Sequence, residues 1–228
     1  MAAIGIIDYG MGNLHSLAKA LEKVAGTARI EVSYDPAKLA MCDRLVLPGV
    51  GGVRACMDEL RRLELNDFVI QAARRQPLLG VCLGMQVLME FSQENQGVAA
   101  LGLIPGDVRR FPDPPPLVAD ADPDQQRLKV PHMGWNRVHQ SQPHPLWANV
   151  PDDSWFYFVH SYYVKPQQLQ HVLGVTGYGC SFAAAVINGN IAGVQFHPEK
   201  SQAAGLQLLA NFAQWNGEGN ADNALPHS

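Results

Sequence analysis

Apolar residues along the chain fall into short runs cut by glycine, proline or charge, and the runs alternate between strand-like and helix-like periods. Residues 4–8 read as a short buried strand that ends on Asp8. Tyr9-Gly10-Met11-Gly12-Asn13 follows as a glycine-rich turn. Leu14, Leu17, Ala18, Leu21 and Val24 then share one helical face, with Gly26 just past the end as a terminator. Residues 29–34 alternate as a second strand, Asp35-Pro36 carries N-cap and first-turn chemistry for a short helix, and residues 44–47 form a third strand.

The pattern predicts one charged amphipathic helix over 57–75. An apolar strand, Pro77-Leu78-Leu79-Gly80-Val81, then runs straight into Cys82, after which Met85, Val87, Leu88, Met89 and Phe91 resume with helical character. Residues 101–111 read as extended. Residues 112–127 are rich in proline and aspartate, with almost no apolar periodicity, and read as an exposed insertion. Order returns at 128–136, and residues 155–163, dense in aromatics, read as one strand against the core. Residues 183–187 and 191–196 flank Asn188-Gly189, a hairpin signal, and a last helix starts near Ser201 with Leu206, Leu209, Ala210 and Ala213 on one face. Alternating strands and helices imply parallel pairing, and the hairpin adds antiparallel pairs. The expectation is an α/β fold: an open mixed, mostly parallel sheet flanked by helices, in one domain over 1–216 with the insertion at 112–127 and a disordered tail at 217–228.

Composition narrows the function classes. With 228 residues, a formal charge of −4 and a pI near 6.0, the chain gives no general reason to expect nucleic acid or an anionic membrane as partner. Cys42, Cys56, Cys82 and Cys180 contain no C-x-x-C pair, which suggests reduced thiols rather than a disulfide framework. The N-terminus has no basic region and meets a carboxylate early, and no apolar run approaches a membrane span, so a soluble cytoplasmic protein is expected. Gly10-x-Gly12 without a third glycine is a weak dinucleotide fingerprint, and no cofactor is expected.

The candidate chemistry centres on Gly80-Val81-Cys82-Leu83-Gly84. A G-x-C-x-G turn between a strand and a helix is the thiol form of a nucleophile elbow: the backbone turns sharply, the flanking residues must lack bulk, and the cysteine is pushed out above the sheet. A buried cysteine between two packing glycines is the alternative. A base would come from His197, which ends a strand and is followed by Pro198-Glu199. In extended backbone, residues 197 and 199 point the same way, so Glu199 can fix the imidazole that activates the thiol. The glycines in Pro48-Gly49-Val50-Gly51-Gly52 allow backbone N–H groups to approach a ligand, although a plain tight loop is equally consistent. His132, His139 and His160 match no zinc spacing, and no metal is expected.

The two motifs, Gly80-Val81-Cys82-Leu83-Gly84-Met85-Gln86 and Gln195-Phe196-His197-Pro198-Glu199, resemble class I, triad-type glutamine amidotransferases. Residues 7–14, 129–136 and 157–162 are similar to the glutaminase subunits of imidazole glycerol-phosphate synthases in histidine biosynthesis, and the likeness runs over 4–215. The resemblance implies that Cys82 attacks the side-chain amide of glutamine, His197 acts as base and then acid, and Glu199 orients it. It implies an oxyanion site from backbone N–H groups of Leu83 and Val50, with Gly49 and Gly51 easing rotation of the Val50 amide, and glutamine binding by Gln86, Glu94, Ser161 and Tyr162. It further implies docking on a (β/α)8-barrel cyclase through Asn13, His132, Met133 and Lys200, so that ammonia passes between subunits. A glutaminase of another ammonia-channelling synthase fits the triad but not 129–136 and 157–162. A non-catalytic regulatory subunit of the same fold is disfavoured because Cys82, His197 and Glu199 are all intact.

Overall fold

The computed structural model describes residues 2–112 and 128–219. Apart from residues 112 and 217–219, the expected insertion and tail lie outside the described residues. The first half alternates as the periodicity predicts: β1 (Ala3–Ile7), α1 (Leu14–Val24), β2 (Arg29–Ser33), α2 (Pro36–Ala40), β3 (Arg44–Leu47), α3 (Val53–Arg62), α4 (Leu65–Ala72), β4 (Leu78–Val81) and α5 (Leu83–Val87). Two short strands, β5 (Phe91–Ser92) and β6 (Val98–Ala99), lead to β7 (Gly106–Arg110). After the gap come β8 (His132–Gln140), β9 (Ser154–His160), β10 (Tyr162–Pro166), β11 (Val172–Gly177), β12 (Ser181–Asn188), β13 (Ile191–Val194) and α6 (Gln202–Gln214).

The sheet runs β2-β1-β3-β4-β13-β12-β10-β7-β5-β6, and it is parallel from β2 to β13. From β13 it turns antiparallel through the hairpin to β12, whose turn residue Gly189 has φ +57°. On its other side β11 continues from β12 to β8 and β9.

Burial on both faces explains why the central strands read as continuous apolar runs. Ile4 and Ile6 of β1, Val46 of β3, and Leu79 and Val81 of β4 face the layer of α1 and α6, where Leu17, Leu21, Leu208, Leu209 and Phe212 are buried. Ile7, Leu45, Leu47 and Leu78 face the opposite layer, against Val53, Met57, Leu60, Leu65 and Val69 of α3 and α4. Each such buried side chain contributes about 1.5–3 kcal/mol relative to an exposed one.

Three expectations need correction. The helix over 57–75 is two helices, broken where Glu64 takes φ +58°; the apolar spacing carries on across that break, which hid it. The elbow helix stops at Val87, and Phe91 is in β5. All five residues of α5 are buried, so no polar face marks its end. The aromatic strand over 155–163 is split at Ser161 between β9, which pairs with β8, and β10, which pairs with β7 and β12.

Candidate functional site

The C-terminal ends of the parallel strands converge, as open α/β sheets arrange their sites: the 48–52 loop follows β3, Cys82 follows β4, and His197 lies just beyond β13. Cys82 has φ +54° and ψ −108°, a strained conformation for a residue with a side chain. It is held there by its own N–H donating to the Val194 carbonyl at 2.8 Å. The two glycines allow that crossing. A Cβ on Gly84 would collide with the Leu47 carbonyl, and one on Gly80 would stand 2.7 Å from the backbone of Gly84.

His197 and Glu199 do meet, although not through extended backbone. Pro198–Lys200 form a 3-10 turn that folds the carboxylate back, and Nδ1 of His197 lies 2.9 Å from Oε1 of Glu199. Both side chains are nearly inaccessible. The backbone here is fixed by the His197 N–H donating to the Tyr157 carbonyl at 2.9 Å and by the Ser201 hydroxyl donating to the His197 carbonyl at 2.6 Å. Burial alone would lower the imidazole, but the sulfur of Cys82 and the carboxylate of Glu199 outweigh it and raise His197 to about 9.

Nε2 of His197 is buried without a well-formed hydrogen bond to protein, and the Cys82 sulfur that raises the imidazole lines the same cavity. The Cys82 sulfur lies 4.0 Å from the Val159 carbonyl, on the wall of the same cavity. Catalytic hydrogen bonds that are loose without substrate and tighten with it are common.

Cys82 and His197 line one cavity of about 430 Å³, together with Val50, Leu83, Gln86, Glu94, Ser161 and Tyr162. Residues 50, 83, 86, 94, 161 and 162 therefore all reach the space above the sulfur. Gln86 is largely committed: its Nε2 donates to the Tyr162 carbonyl at 3.0 Å and to Oε1 of Gln195 at 3.1 Å, leaving its own carbonyl oxygen to offer a ligand. Glu94 accepts from the Val53 N–H at 2.5 Å and packs over Gly52, tying the end of the 48–52 loop to the cavity wall. Gly49 sits behind Leu83, and a Cβ there would stand 2.5 Å from the Tyr9 hydroxyl. On the far side of the triad, Asn13, Val50, Val81, His197 and Glu199 line a narrow crevice.

Of the expected docking residues, Met133 is 63% exposed and the Lys200 ammonium lies 5.9 Å over the Tyr157 ring. The His132 side chain is a correction. It is buried, stacked between Phe158 and Tyr178 with Nδ1 3.0 Å from Nε2 of His160, and so it is withdrawn from any outer surface. His139 lies at the other end of β8, 2.9 Å from Asp152, so the three histidines do not converge. Sequence reasoning passed over Gln195 as a site residue. It is fully buried, with Nε2 3.8 Å from the Cys82 sulfur, and its place two residues before His197 in the same motif was the available signal.

Fold and cavity define a class of protein: an α/β amidotransferase with a cysteine elbow and a histidine–glutamate pair at the strand ends. A family model described as glutamine amidotransferase class-I matches residues 5–215. The chain is 53% identical over 217 residues to imidazole glycerol phosphate synthase subunit HisH of Nitrosococcus oceani, covering 95% of this chain and 99% of that one. It is 54% identical over 216 residues to the subunit of the same name from Methylococcus capsulatus, covering 94% and 97%. Among solved structures it resembles a glutamine amidotransferase (TM-score 0.67, 16% identity, 92% and 98% covered) and PurLQS from Thermotoga maritima (TM-score 0.65, 16% identity, 93% and 97% covered), likenesses of fold. The chain belongs to the class-I glutamine amidotransferase family and, within it, to the HisH subunits.

Proposed function

We propose that this chain hydrolyses L-glutamine to glutamate and ammonia and hands the ammonia to a separate (β/α)8-barrel cyclase, which uses it to make imidazole glycerol phosphate and AICAR in histidine biosynthesis. The pairing of a raised, carboxylate-held imidazole with the sulfur of Cys82 in one cavity supports this reading best. His197 takes the thiol proton as the sulfur attacks the side-chain carbonyl carbon of glutamine. The C–N bond then breaks, the proton leaves with ammonia, and a γ-glutamyl thioester remains. Water, deprotonated by His197, attacks the thioester; the C–S bond breaks, glutamate is released and the sulfur regains its proton. Glu199 keeps Nδ1 protonated so that Nε2 faces the reacting groups, and it balances the imidazolium that forms.

The oxyanion is assigned to the N–H groups of Leu83 and Val50, with Gly49 and Gly51 as the flexible flanks of Val50; Gly51 already has φ +94°. Gln86, Glu94, Ser161 and Tyr162 are assigned to the amino-acid end of glutamine. The partner surface is assigned to Asn13, which lines the crevice beside His197 and Glu199, and to Met133 and Lys200. No described helix is long and apolar enough to cross a membrane, and a cytoplasmic location fits a pathway of small polar metabolites.

The test is a glutaminase assay of the chain alone, with a cyclase subunit, and with the cyclase and its nucleotide ligand. Glutamate release that rises on addition of cyclase and ligand supports the reading. Release that no cyclase changes, or no release under any condition, overturns it.

A further inference from the structure

Gln195 is fully buried, makes no use of solvent, and stands against the one sulfur the chemistry needs. Its amide orientation is not free. The Tyr162 carbonyl is an acceptor only, so Gln86 must present its NH2 group there, and the second hydrogen of that group points at Gln195. Gln195 therefore turns its Oε1 to Gln86 and its Nε2 to Cys82, 3.8 Å from Sγ.

The same Tyr162 carbonyl accepts from Nδ1 of His160 at 2.8 Å, which leaves Nε2 of His160 as acceptor for Nδ1–H of His132 at 3.0 Å. Nε2 of His132 then accepts from Asn136, whose amide also donates to the Gly177 carbonyl at 2.8 Å. Two branches thus meet at the Tyr162 carbonyl, each donor in them has one possible direction, and the Gln86 branch ends with an N–H aimed at sulfur.

We propose that Gln195 is a positioning residue for the nucleophile: its Nε2–H, locked in orientation by Gln86, stabilises the sulfur of Cys82 as a thiolate. This rests on Cys82 being the nucleophile. A neutral thiol gains little from an N–H at this distance, whereas a thiolate gains a charge-assisted bond, so the interaction favours ionisation.

The experiment is alkylation by iodoacetamide across pH 6 to 10 on the full chain with Cys180→Ser, since Cys180 alone among the described cysteines is not buried and would be labelled beside Cys82, which the reagent reaches through the cavity. Modification is located by peptide mapping. Gln195→Met keeps the volume and removes the N–H. Gln195→Glu keeps the shape and sets a carboxylate against the sulfur.

The expected result is a midpoint of alkylation against pH that rises by about one unit in Gln195→Met, so about tenfold slower labelling at neutral pH, and further in Gln195→Glu. Gln86→Met, which leaves Gln195 in place but unfixed, shifts the midpoint the same way by less, and it serves if the position 195 variants do not fold. Midpoints that coincide with the parent in folded variants overturn the proposal, even where melting temperature has dropped. Labelling of the parent anywhere but Cys82 instead overturns the nucleophile assignment.

Discussion

The hydroxyl of Tyr9 donates a 2.7 Å hydrogen bond to the carbonyl of Pro48, joining the end of β1 to the loop that lies over the cysteine elbow. Tyr9 is fully buried, and burial raises its hydroxyl above the usual phenol range, so it stays a donor. Pro48 begins the only stretch between β3 and α3, and pinning its carbonyl confines any rearrangement of that loop to Gly49 and beyond. Tyr9→Phe leaves the Pro48 carbonyl buried and unpaired, and it should cost about 1–3 kcal/mol of stability. Urea unfolding should show the loss as a lower midpoint at unchanged slope.

Gly84 is the second fixed point of the elbow. A methyl group there meets the Leu47 carbonyl, which is backbone held in the sheet and cannot swing aside. Gly84→Ala should therefore destabilise by about 3 kcal/mol or more, beyond ordinary overpacking, and yield little folded protein. Gly10→Ala, whose Cβ meets nothing nearby, is the control. Its positive φ gives only the modest strain of a side chain in the left-handed region.

The elbow glycines Gly80 and Gly84 were legible in the sequence because the G-x-C-x-G spacing states a steric demand in the residues themselves. The pairing of His197 with Glu199 was legible too, but for the wrong local reason: Pro198 does not merely end a strand, it starts the 3-10 turn that brings the carboxylate round. The break at Glu64 carries no glycine or proline, and the end of α5 carries no polar face, so neither has a local signal. The His132-Met133 pair, read together as docking residues, divides in the structure. His132 and Met133 are neighbours on one strand, and period-two alternation buries the first while exposing the second, which a motif read as a block does not separate. The orientation of Gln195 is a product of three chain segments meeting, and no single segment announces it.

Glu199→Gln tests the orienting role. The amide cannot hold the same protonated Nδ1 against a negative charge, so the wrong tautomer becomes available and the imidazolium loses its counter-charge. Glutaminase kcat in the complex should fall about 10²- to 10⁴-fold with the fold intact. The raised His197 also ties stability to pH. Its stabilisation is fully present below the ordinary value of 6.5 and is lost as pH rises toward about 9. The variant should flatten that alkaline decline in a series of melting temperatures, and an undiminished decline would assign it to other groups.

The buried histidines predict the opposite, acidic limb. Burial lowers His132 and His144 to about 4 and His160 to about 3. Protonating His160 would set an N–H against the Nδ1–H of His132, and reversing the tautomer of His132 would only move the clash to Asn136. In His144, Nδ1 accepts from the Leu146 N–H at 3.2 Å and is lost as an acceptor when protonated. As pH falls below 6.5, the unfolded chain takes up protons that the native state refuses. Stability should drop by about 1.4 kcal/mol per pH unit for each such group until about pH 4. His144→Asn, whose Oδ1 can still accept from Leu146, should flatten the slope of unfolding free energy between pH 6 and 5 by about one group's share.

Cys82→Ala separates the two halves of the proposed activity. The sulfur is the atom that must carry the glutamyl group, and neither Gln195 nor His197 can replace it, so glutamate release should fall to background with or without a cyclase. The substitution removes one buried sulfur from a cavity wall and leaves the Val194 tether, the glycine crossing and the surface around Asn13, Met133 and Lys200 as they are. Assembly with the cyclase should survive, and with it cyclisation supplied by free ammonium salt at high pH, where uncharged ammonia is abundant. Measuring glutamine-dependent and ammonia-dependent product formation on the same complex decides between the outcomes. Loss of both would mean that Cys82 is needed for assembly rather than chemistry, and retention of glutamine-dependent turnover would mean that the nucleophile lies elsewhere.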